Sequence, residues 1–149
     1  MRGFEIVSSY RDKGIRLPER RTAGSAGYDL EAAEPVSIAP GGCALVPTGL
    51  KAYMEPDEVL QLHIRSGMAI RHKLSLMNSV GIIDADYYNS AENEGHILVA
   101  FRNHGSETVQ IAKGSRIAQG IFMKYLLADG DMEGQGGLRQ GGFGSTGES

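Results

Sequence analysis

The sequence predicts an all-β fold with one short helix, on the basis of two patterns that recur along the chain. Apolar and polar side chains alternate in VLQLHI at 59–64 and in ETVQI at 107–111, which is the period of a half-buried strand. Short apolar runs are separated by turn sequences such as PGG at 40–42 and NHG at 103–105. Many short strands with frequent turns are typical of a β-sandwich or a β-barrel.

The elements follow in chain order from these patterns. The run CALV at 43–46 comes after a proline-glycine turn and predicts a strand in which Cys43 is a buried small hydrophobe. The alternating strand at 59–64 leads into the single predicted helix, which begins at Ser66 as its N-cap and ends near His72. Further apolar or alternating segments predict strands at 80–83, 96–101, 107–111 and 121–123.

Composition bounds the class of protein. The chain has 149 residues, of which 41% are hydrophobic and 22% charged, as expected for one folded domain. No stretch approaches the roughly 18 apolar residues of a membrane span, and the N-terminus lacks the pattern of an export signal. A net charge of -3 argues against nucleic acid as a partner, and a single cysteine excludes an intrachain disulfide. We therefore expect a cytoplasmic protein with no membrane or nucleic-acid partner.

Glycine is unusually frequent, with 21 residues, and it is concentrated near the C-terminus. Eight of the eighteen residues at 130–147 are glycine, so this segment has too little apolar surface to fold alone. Two interpretations are open, a floppy tail or an arm whose backbone amides close around an anion while Phe143 stacks on a flat ring. The chain accordingly divides into a β domain at 1–127 and a glycine-rich C-terminal arm at 128–149.

Two motifs combine polar side chains with glycine-rich turns. In GSAGYDL at 24–30, Asp29 is either a turn acid that caps its own backbone or a carboxylate near a divalent cation. In RSGMA at 65–69, a guanidinium, a hydroxyl and the backbone amides of a helix start form an anion site. The alternative for this second motif is a plain N-cap at Ser66 beside a solvated Arg65.

The third motif is NSVGIIDADY at 78–87, in which an acid ends an apolar strand. A carboxylate at the mouth of a strand is placed to accept a proton from water, which makes Asp84 a candidate general base. Alternatively, residues 84–86 form a turn and Tyr87 is an aromatic at its rim.

The fourth motif, GSRIAQ at 114–119, follows a turn and places Arg116 and Gln119 at the start of a strand. These two side chains are either polar edge residues or ligand contacts. The four histidines show no metal-ligand spacing, and neither common phosphate-binding glycine motif is present in the sequence.

Taken together and in this order, GSAGYDL, RSGMA, NSVGIIDADY, GSRIAQGIF and GGFGSTG resemble the motifs of the trimeric dUTPases, over residues 17–147. The resemblance implies an all-β, jelly-roll-like (β-clip) protomer that forms a homotrimer. It implies active sites at subunit interfaces, each closed by the C-terminal arm of another chain. It also implies the reaction, Mg2+-assisted hydrolysis of dUTP to dUMP and pyrophosphate, which keeps uracil out of DNA and supplies dUMP for thymidylate synthesis.

The resemblance further implies roles for individual residues. Asp84 would take the proton from a water that attacks the α-phosphorus in line, and Asp29 would hold Mg2+ through water. Tyr87 would pack under the deoxyribose, where a ribose 2'-hydroxyl would clash. Phosphate contacts are assigned to Arg65, Ser66, Gly67 and Gln119, and uracil-pocket contacts to Asn78, Gly81 and Ile83. Substrate contacts from the arm are assigned to Arg139, Phe143, Gly144, Ser145 and Thr146.

The sequence departs from the family pattern in two places. The segment YNSAEN at 88–93 lengthens the turn after the third motif, so both Tyr87 and Tyr88 are candidates for the sugar contact. In the arm, Arg139 stands one position later than the arginine of the family pattern, whose place is taken here by Leu138.

Two alternative functions remain open. The related dCTP deaminases share the fold, but they have a catalytic glutamate where this chain has Ala100. The alternative from a different class is a trimer that senses the nucleotide and binds a regulatory protein partner, in place of catalysis or in addition to it.

Overall fold

The computed structural model describes residues 1–131, which form eleven antiparallel strands. In chain order they are β1 Gly3–Ile6, β2 Tyr28–Glu31, β3 Val36–Ile38, β4 Cys43–Pro47, β5 Leu50–Tyr53, β6 Glu58–Ile64, β7 Leu74–Leu76, β8 Gly81–Asp84, β9 Leu98–Asn103, β10 Val109–Ile111 and β11 Arg116–Lys124. Every predicted strand overlaps one of these. The predicted all-β, jelly-roll-like fold is thereby confirmed.

The strands are arranged in four sheets. The largest has the order β2-β11-β6-β8, and a three-stranded sheet has the order β4-β9-β7. Two further pairs, β1 with β5 and β3 with β10, complete the described part of the fold. Because β11 lies between β2 and β6, segments that are far apart in sequence become neighbours in the largest sheet.

A single apolar core lies between the sheets. The predicted alternation at 59–64 is confirmed, because Leu60 and Leu62 of β6 are buried in this core. Phe101 of β9 is fully buried with them, although it belongs to the three-stranded sheet. Burial of each such side chain contributes about 1.5–3 kcal/mol to folding, so the core holds the two larger sheets in register.

The prediction that Cys43 is buried is wrong, because its thiol is exposed. In β4 the side chains of Ala44 and Val46 point towards the core, and strand geometry then turns Cys43 and Leu45 outward. Leu45 is 52% exposed for the same reason. A short apolar run therefore does not by itself indicate that both faces of a strand are covered.

The predicted helix is present as a five-residue π-helical segment at Gly67–Arg71. Ser66 stands at the N-cap position, as predicted, but its backbone angles are already helical and its side chain makes no capping hydrogen bond. The turn begins one residue earlier, where the amide of Ala69 donates to the carbonyl of Arg65. Single turns of 3-10 helix lie at Ser8–Tyr10 and Ala85–Tyr87. None of the helices within residues 1–131 is long and apolar enough to span a membrane.

Candidate active site

A polar cleft of about 210 Å3 lies at one end of the four-stranded sheet. Three neighbouring strands build it, because Gln119 of β11 pairs with Asp29 of β2 on one side and with His63 of β6 on the other. Arg65 and Ser66 follow β6 directly and therefore enter the same cleft. The lining residues are Arg21, Ser25, Gly27, Asp29, Arg65, Ser66 and Gln119.

The centre of the cleft is an ion pair between Asp29 and Arg65. Arg65 Nη1 donates to Asp29 Oδ1, and Arg116 Nη1 lies 3.9 Å from the other carboxylate oxygen. Asp29 lies within β2 and is 15% exposed, so its alternative interpretation as a turn acid is wrong. Arg65 is held by this partner and is 28% exposed, so the alternative of a solvated arginine is also wrong.

Glycine at position 27 accommodates the close approach of Gln119. A Cβ atom at Gly27 would lie 2.4 Å from Gln119 Oε1, closer than real Cβ atoms approach, and 3.0 Å from Gln119 Cβ. The missing side chain therefore allows the glutamine amide to lie against the glycine-rich turn. Sequence reasoning singles out Gln119 but gives no reason for this glycine.

The cleft continues into a second one of about 330 Å3, which shares Arg21 and Asp29 with it. Its other walls include the guanidinium groups of Arg16, Arg20 and Arg116 and the carboxylates of Glu19 and Glu31. Sequence reasoning misses Arg21 and the cleft residue Ser25. The available signal was the pair of arginines immediately before the first glycine-rich motif, since clustered guanidinium groups raise the local concentration of anions.

Asp84 lies far from this cleft. It ends β8 and pairs with Val59 at the beginning of β6, whereas Arg65 follows the end of β6. The six residue steps from Val59 to Arg65 correspond to roughly 20 Å along an antiparallel strand. A single chain therefore brings Asp29, Arg65 and Gln119 together but leaves Asp84 at the other end of the sheet.

None of the predicted uracil-pocket residues lines the cleft; they lie on β8, which ends at Asp84, and in the turn before this strand. Asn78 is exposed in the turn before β8, and Gly81 begins this strand opposite Leu62. Ile83 pairs with Leu60 and packs against the core. Ile82, between the two, points outward and is 53% exposed.

Tyr87 is a buried residue, so the alternative of a rim aromatic is wrong. It ends the 3-10 turn at Ala85–Tyr87 and is only 5% exposed. Its hydroxyl donates to the carbonyl of His96 at 2.7 Å and accepts from Asn93 Nδ2 at 2.8 Å. Tyr88, the other candidate, donates its hydroxyl to Glu5, and this hydrogen bond raises the pKa of Tyr88.

The lengthened turn after Tyr87 is anchored to β5. Lys51 Nζ donates to Asn89 Oδ1 at 2.6 Å and to Glu94 Oε2 at 2.8 Å. The carboxylate of Glu94 also accepts from the amide of Ser8. The hydrogen bond from Lys51 lowers the pKa of Glu94 to about 2.

The arm residues predicted to contact substrate, Arg139, Phe143, Gly144, Ser145 and Thr146, lie outside the described residues. The described chain approaches them through Leu126 and Leu127, which are 95% and 60% exposed. The predicted boundary at 127/128 thus lies just after two outward-facing apolar side chains.

Asp29 is the one described carboxylate that lines the cleft. No group of three or more His, Cys, Asp or Glu side chains within residues 1–131 could hold a metal ion. Mg2+ is commonly bound by one or two carboxylates together with waters and substrate phosphates. A lone carboxylate in a cleft that also holds guanidinium, hydroxyl and amide donors fits an ion of this kind, reached through its bound water.

Comparisons of the sequence and of the structure with known proteins point to the same family. A family model described as dUTPase matches residues 13–147. The chain is 54% identical over 147 residues to the deoxyuridine 5'-triphosphate nucleotidohydrolase of Lactococcus lactis, with 99% of this chain and 98% of that protein covered. Identity to the protein of the same name from Anaeromyxobacter is 43% over 143 residues, with 92% and 91% covered.

Two solved structures resemble the chain closely in fold. The dUTPase from Streptococcus mutans has a TM-score of 0.82 and 50% identity, with 86% of this chain and 99% of that chain covered. The dUTPase from phage phi11 of Staphylococcus aureus, described with a structural Mg(II) ion, has a TM-score of 0.72 and covers 91% of this chain and 97% of its own. At 21% identity, the similarity to this phage protein is evidence for the fold alone.

Proposed function

The chain belongs to the dUTPase family and hydrolyses dUTP to dUMP and pyrophosphate, and we propose that each of its active sites is divided between different copies of the chain. One copy supplies the cleft around Asp29, Arg65 and Gln119. A second copy supplies Asp84 and the residues near it. The observation that supports this division is the separation of roughly 20 Å along β6 between Asp84 and Arg65.

The cleft binds the triphosphate in this proposal. Arg65, the Ser66 hydroxyl, the amide of Gly67 and Gln119 are donors at one end of the sheet, and anions bind where such donors converge. When a phosphate enters, the N–H groups of Arg65 that donate to Asp29 donate to the phosphate oxygens instead. Arg21, which lines both clefts, adds a further positive charge that attracts the polyphosphate.

Asp84 is the proposed general base. Its carboxylate accepts a proton from a water molecule while the oxygen of that water attacks the α-phosphorus. The bond from the α-phosphorus to the bridging oxygen breaks, and pyrophosphate leaves on the side opposite the water. The chain forms no covalent bond with the substrate, so its contribution is to position reactants and to stabilise charge.

We assign Asp29 to hold Mg2+ through water. When bound, the ion would neutralise charge that develops on the phosphate oxygens. The carboxylate is already directed into the cleft by Arg65 and Arg116, so entry of the phosphates is expected to free it for this role.

Base and sugar are recognised, in this proposal, by the third motif of the second copy. Asn78, Gly81 and Ile83 form the uracil pocket, and Tyr87 packs beneath the deoxyribose. A site built to hydrogen-bond one base edge rejects a mismatched edge strongly, because its own polar groups would be left unpaired.

The assembly we propose is a homotrimer. It would cover apolar side chains that a single chain exposes, such as Leu45 of β4 and Ile82 of β8. The arm at 128–149 of one copy would close a site formed by others, with Arg139, Phe143, Gly144, Ser145 and Thr146 contacting the nucleotide. We expect this reaction to take place in the cytoplasm, where the deoxynucleotide pool is made.

Mixing two inactive variants tests the divided site. Arg65→Ala removes a phosphate contact and Asp84→Asn removes the base, so each homotrimer should be inactive. Refolding the two together at equal amounts should restore activity in roughly a quarter of the sites, because random assembly places an intact Arg65 copy beside an intact Asp84 copy. Mixed trimers that stay inactive, with assembly shown by native mass spectrometry, would contradict the proposal.

A further inference from the structure

The hydroxyl of Tyr87 is fixed by one donor and one acceptor. Asn93 Nδ2 donates to Tyr87 Oη at 2.8 Å, and Tyr87 Oη donates to the carbonyl of His96 at 2.7 Å. The single proton of the hydroxyl is thereby used in the hydrogen bond to the His96 carbonyl, and one lone pair of its oxygen accepts from Asn93. The ring is held at its far end as well as at its Cβ atom.

The two partners of this hydroxyl are themselves fixed. Asn93 Oδ1 accepts from Ser90 Oγ and from the amide of Gly95, each at 3.2 Å, so the amide nitrogen is the group directed at Tyr87. The peptide group that carries the His96 carbonyl is fixed by the amide of Ile97, which donates to the carbonyl of Leu50 at 2.8 Å. Neither partner can rotate without breaking its own hydrogen bonds.

The turn that carries Asn93 is joined to the body of the protein. Lys51, which is 8% exposed, donates to both Asn89 and Glu94. Within the turn, the amide of Asn89 donates to the carbonyl of Glu94, and the amide of Glu94 donates to the carbonyl of Ser90. The lengthened segment is therefore an ordered brace on Tyr87 and not a loose surface insertion.

We infer that Asn93 is a positioning residue that fixes the Tyr87 ring and so enforces discrimination between deoxyribose and ribose. The inference rests on the proposed role of Tyr87 beneath the sugar. The 2'-hydroxyl of ribose is excluded only if the Tyr87 ring stays in place, because a displacement of the ring by even about 1 Å would make room for this hydroxyl. The function of the lengthened turn is then to hold the Tyr87 ring rigidly in place.

The test is a double-mutant cycle on sugar selectivity. Asn93→Asp keeps the oxygen that accepts from Ser90 and Gly95 but removes the donor to Tyr87. Two acceptors then face the single proton of the Tyr87 hydroxyl, so one of the two hydrogen bonds is replaced by repulsion and the ring loses a restraint. We expect the ratio of kcat/KM for dUTP to kcat/KM for UTP to fall by roughly three- to tenfold, the size of one lost hydrogen bond.

Three further variants separate the outcomes. Tyr87→Phe removes the hydroxyl and is expected to lower the selectivity similarly, and adding Asn93→Asp to it should have no further effect. Glu92→Gln changes an exposed side chain on the same turn and should retain the selectivity of the wild type. Equal losses for dUTP and UTP in Asn93→Asp, or independent effects in the double variant, would overturn the inference.

A separate variant, Tyr87→Ala, tests whether Tyr87 has its proposed role beneath the sugar. Tyr87→Ala should abolish most of the selectivity if the ring lies beneath the sugar. An unchanged selectivity in Tyr87→Ala would refute that role and the inference with it. A large loss in Tyr87→Ala, together with the selectivity of the wild type in both Tyr87→Phe and Asn93→Asp, would refute the inference alone.

Discussion

In the cleft around Asp29, Arg65 and Gln119, neighbouring strands place the side chains, whereas in the turn at 88–95 side chains hold the backbone in place. Asp29 and Gln119 face each other because β2 and β11 pair at these positions. The turn contains no strand, and its path depends on Lys51, Glu94 and Asn93. A cleft built on strands should therefore tolerate loss of a functional side chain without unfolding, while the turn should not.

The backbone of the turn shows the same dependence. Asn89, Glu94 and Gly95 all have positive φ angles, which are unfavourable for the first two residues. Hydrogen bonds from Lys51 and from within the turn compensate for this cost. In the strands of the cleft no such compensation is needed, because the extended backbone is already favoured and paired.

The largest expected effect is on catalysis, without an effect on folding. Asp84→Asn should lower kcat for dUTP by roughly a thousandfold, the usual contribution of a general base, while the free energy of unfolding changes little. Steady-state pyrophosphate release and urea unfolding measure the two quantities. Asp86→Asn, an exposed acid in the same 3-10 turn, is the matched control and should retain activity.

The same variant tests the regulatory alternative. If the chain also binds a protein partner in a nucleotide-dependent way, Asp84→Asn should keep that binding while losing turnover. An Asp84→Asn protein that hydrolyses dUTP at the rate of the wild type would contradict the assignment of the base.

The second effect is on the stability of the turn. Gly95 has a φ of +81°, and a Cβ atom there would lie 2.4 Å from the carbonyl oxygen of Tyr87. Gly95→Ala should therefore lower the free energy of unfolding by about 2–4 kcal/mol, as measured by urea denaturation. Gly24→Ala is the matched control, because nothing lies within 4 Å of its added Cβ. Equal stability of the two variants would show that the turn is less constrained than its contacts indicate.

The third and smallest effect is the contribution of Lys51 to stability and the dependence of that contribution on pH. Lys51→Met should lower stability near neutral pH by about 1–3 kcal/mol, because Glu94 and Asn89 lose their shared donor. Glu94 has a pKa of about 2 in the folded protein against 4.5 ordinarily, so its stabilising contribution is complete above 4.5 and is lost as the pH falls towards 2.

Urea midpoints measured at several pH values between about 6 and 3 check this dependence on Glu94. The wild type should lose stability on acidification by more than Lys51→Met does, since the variant no longer has the interaction that acid removes. Lys124→Met, which removes an exposed ion pair with Asp57, serves as the control and should follow the wild type. Parallel curves for the wild type and Lys51→Met would show that another group determines the acid sensitivity.

The sequence was sufficient for the local parts of the fold. Alternation at 59–64 identified β6 and its buried face, because side chains in a strand alternate regardless of what lies around them. The same reasoning failed at Cys43, since period two says which residues share a face but not whether a second layer covers that face. The motif residues Asp29, Arg65 and Gln119 were likewise found from sequence.

What the sequence alone determined was six of the eleven strands within residues 1–131, the polar motifs and, by the order of these motifs, the family. Only the tertiary structure paired Asp29 with Arg65, brought Arg21 into the cleft, buried Lys51 beside Glu94 and set Asp84 at the far end of β6. These contacts join residues tens of positions apart. They depend on strand order and register, which the whole core decides, because moving a strand by one residue would turn every side chain on it to the opposite face.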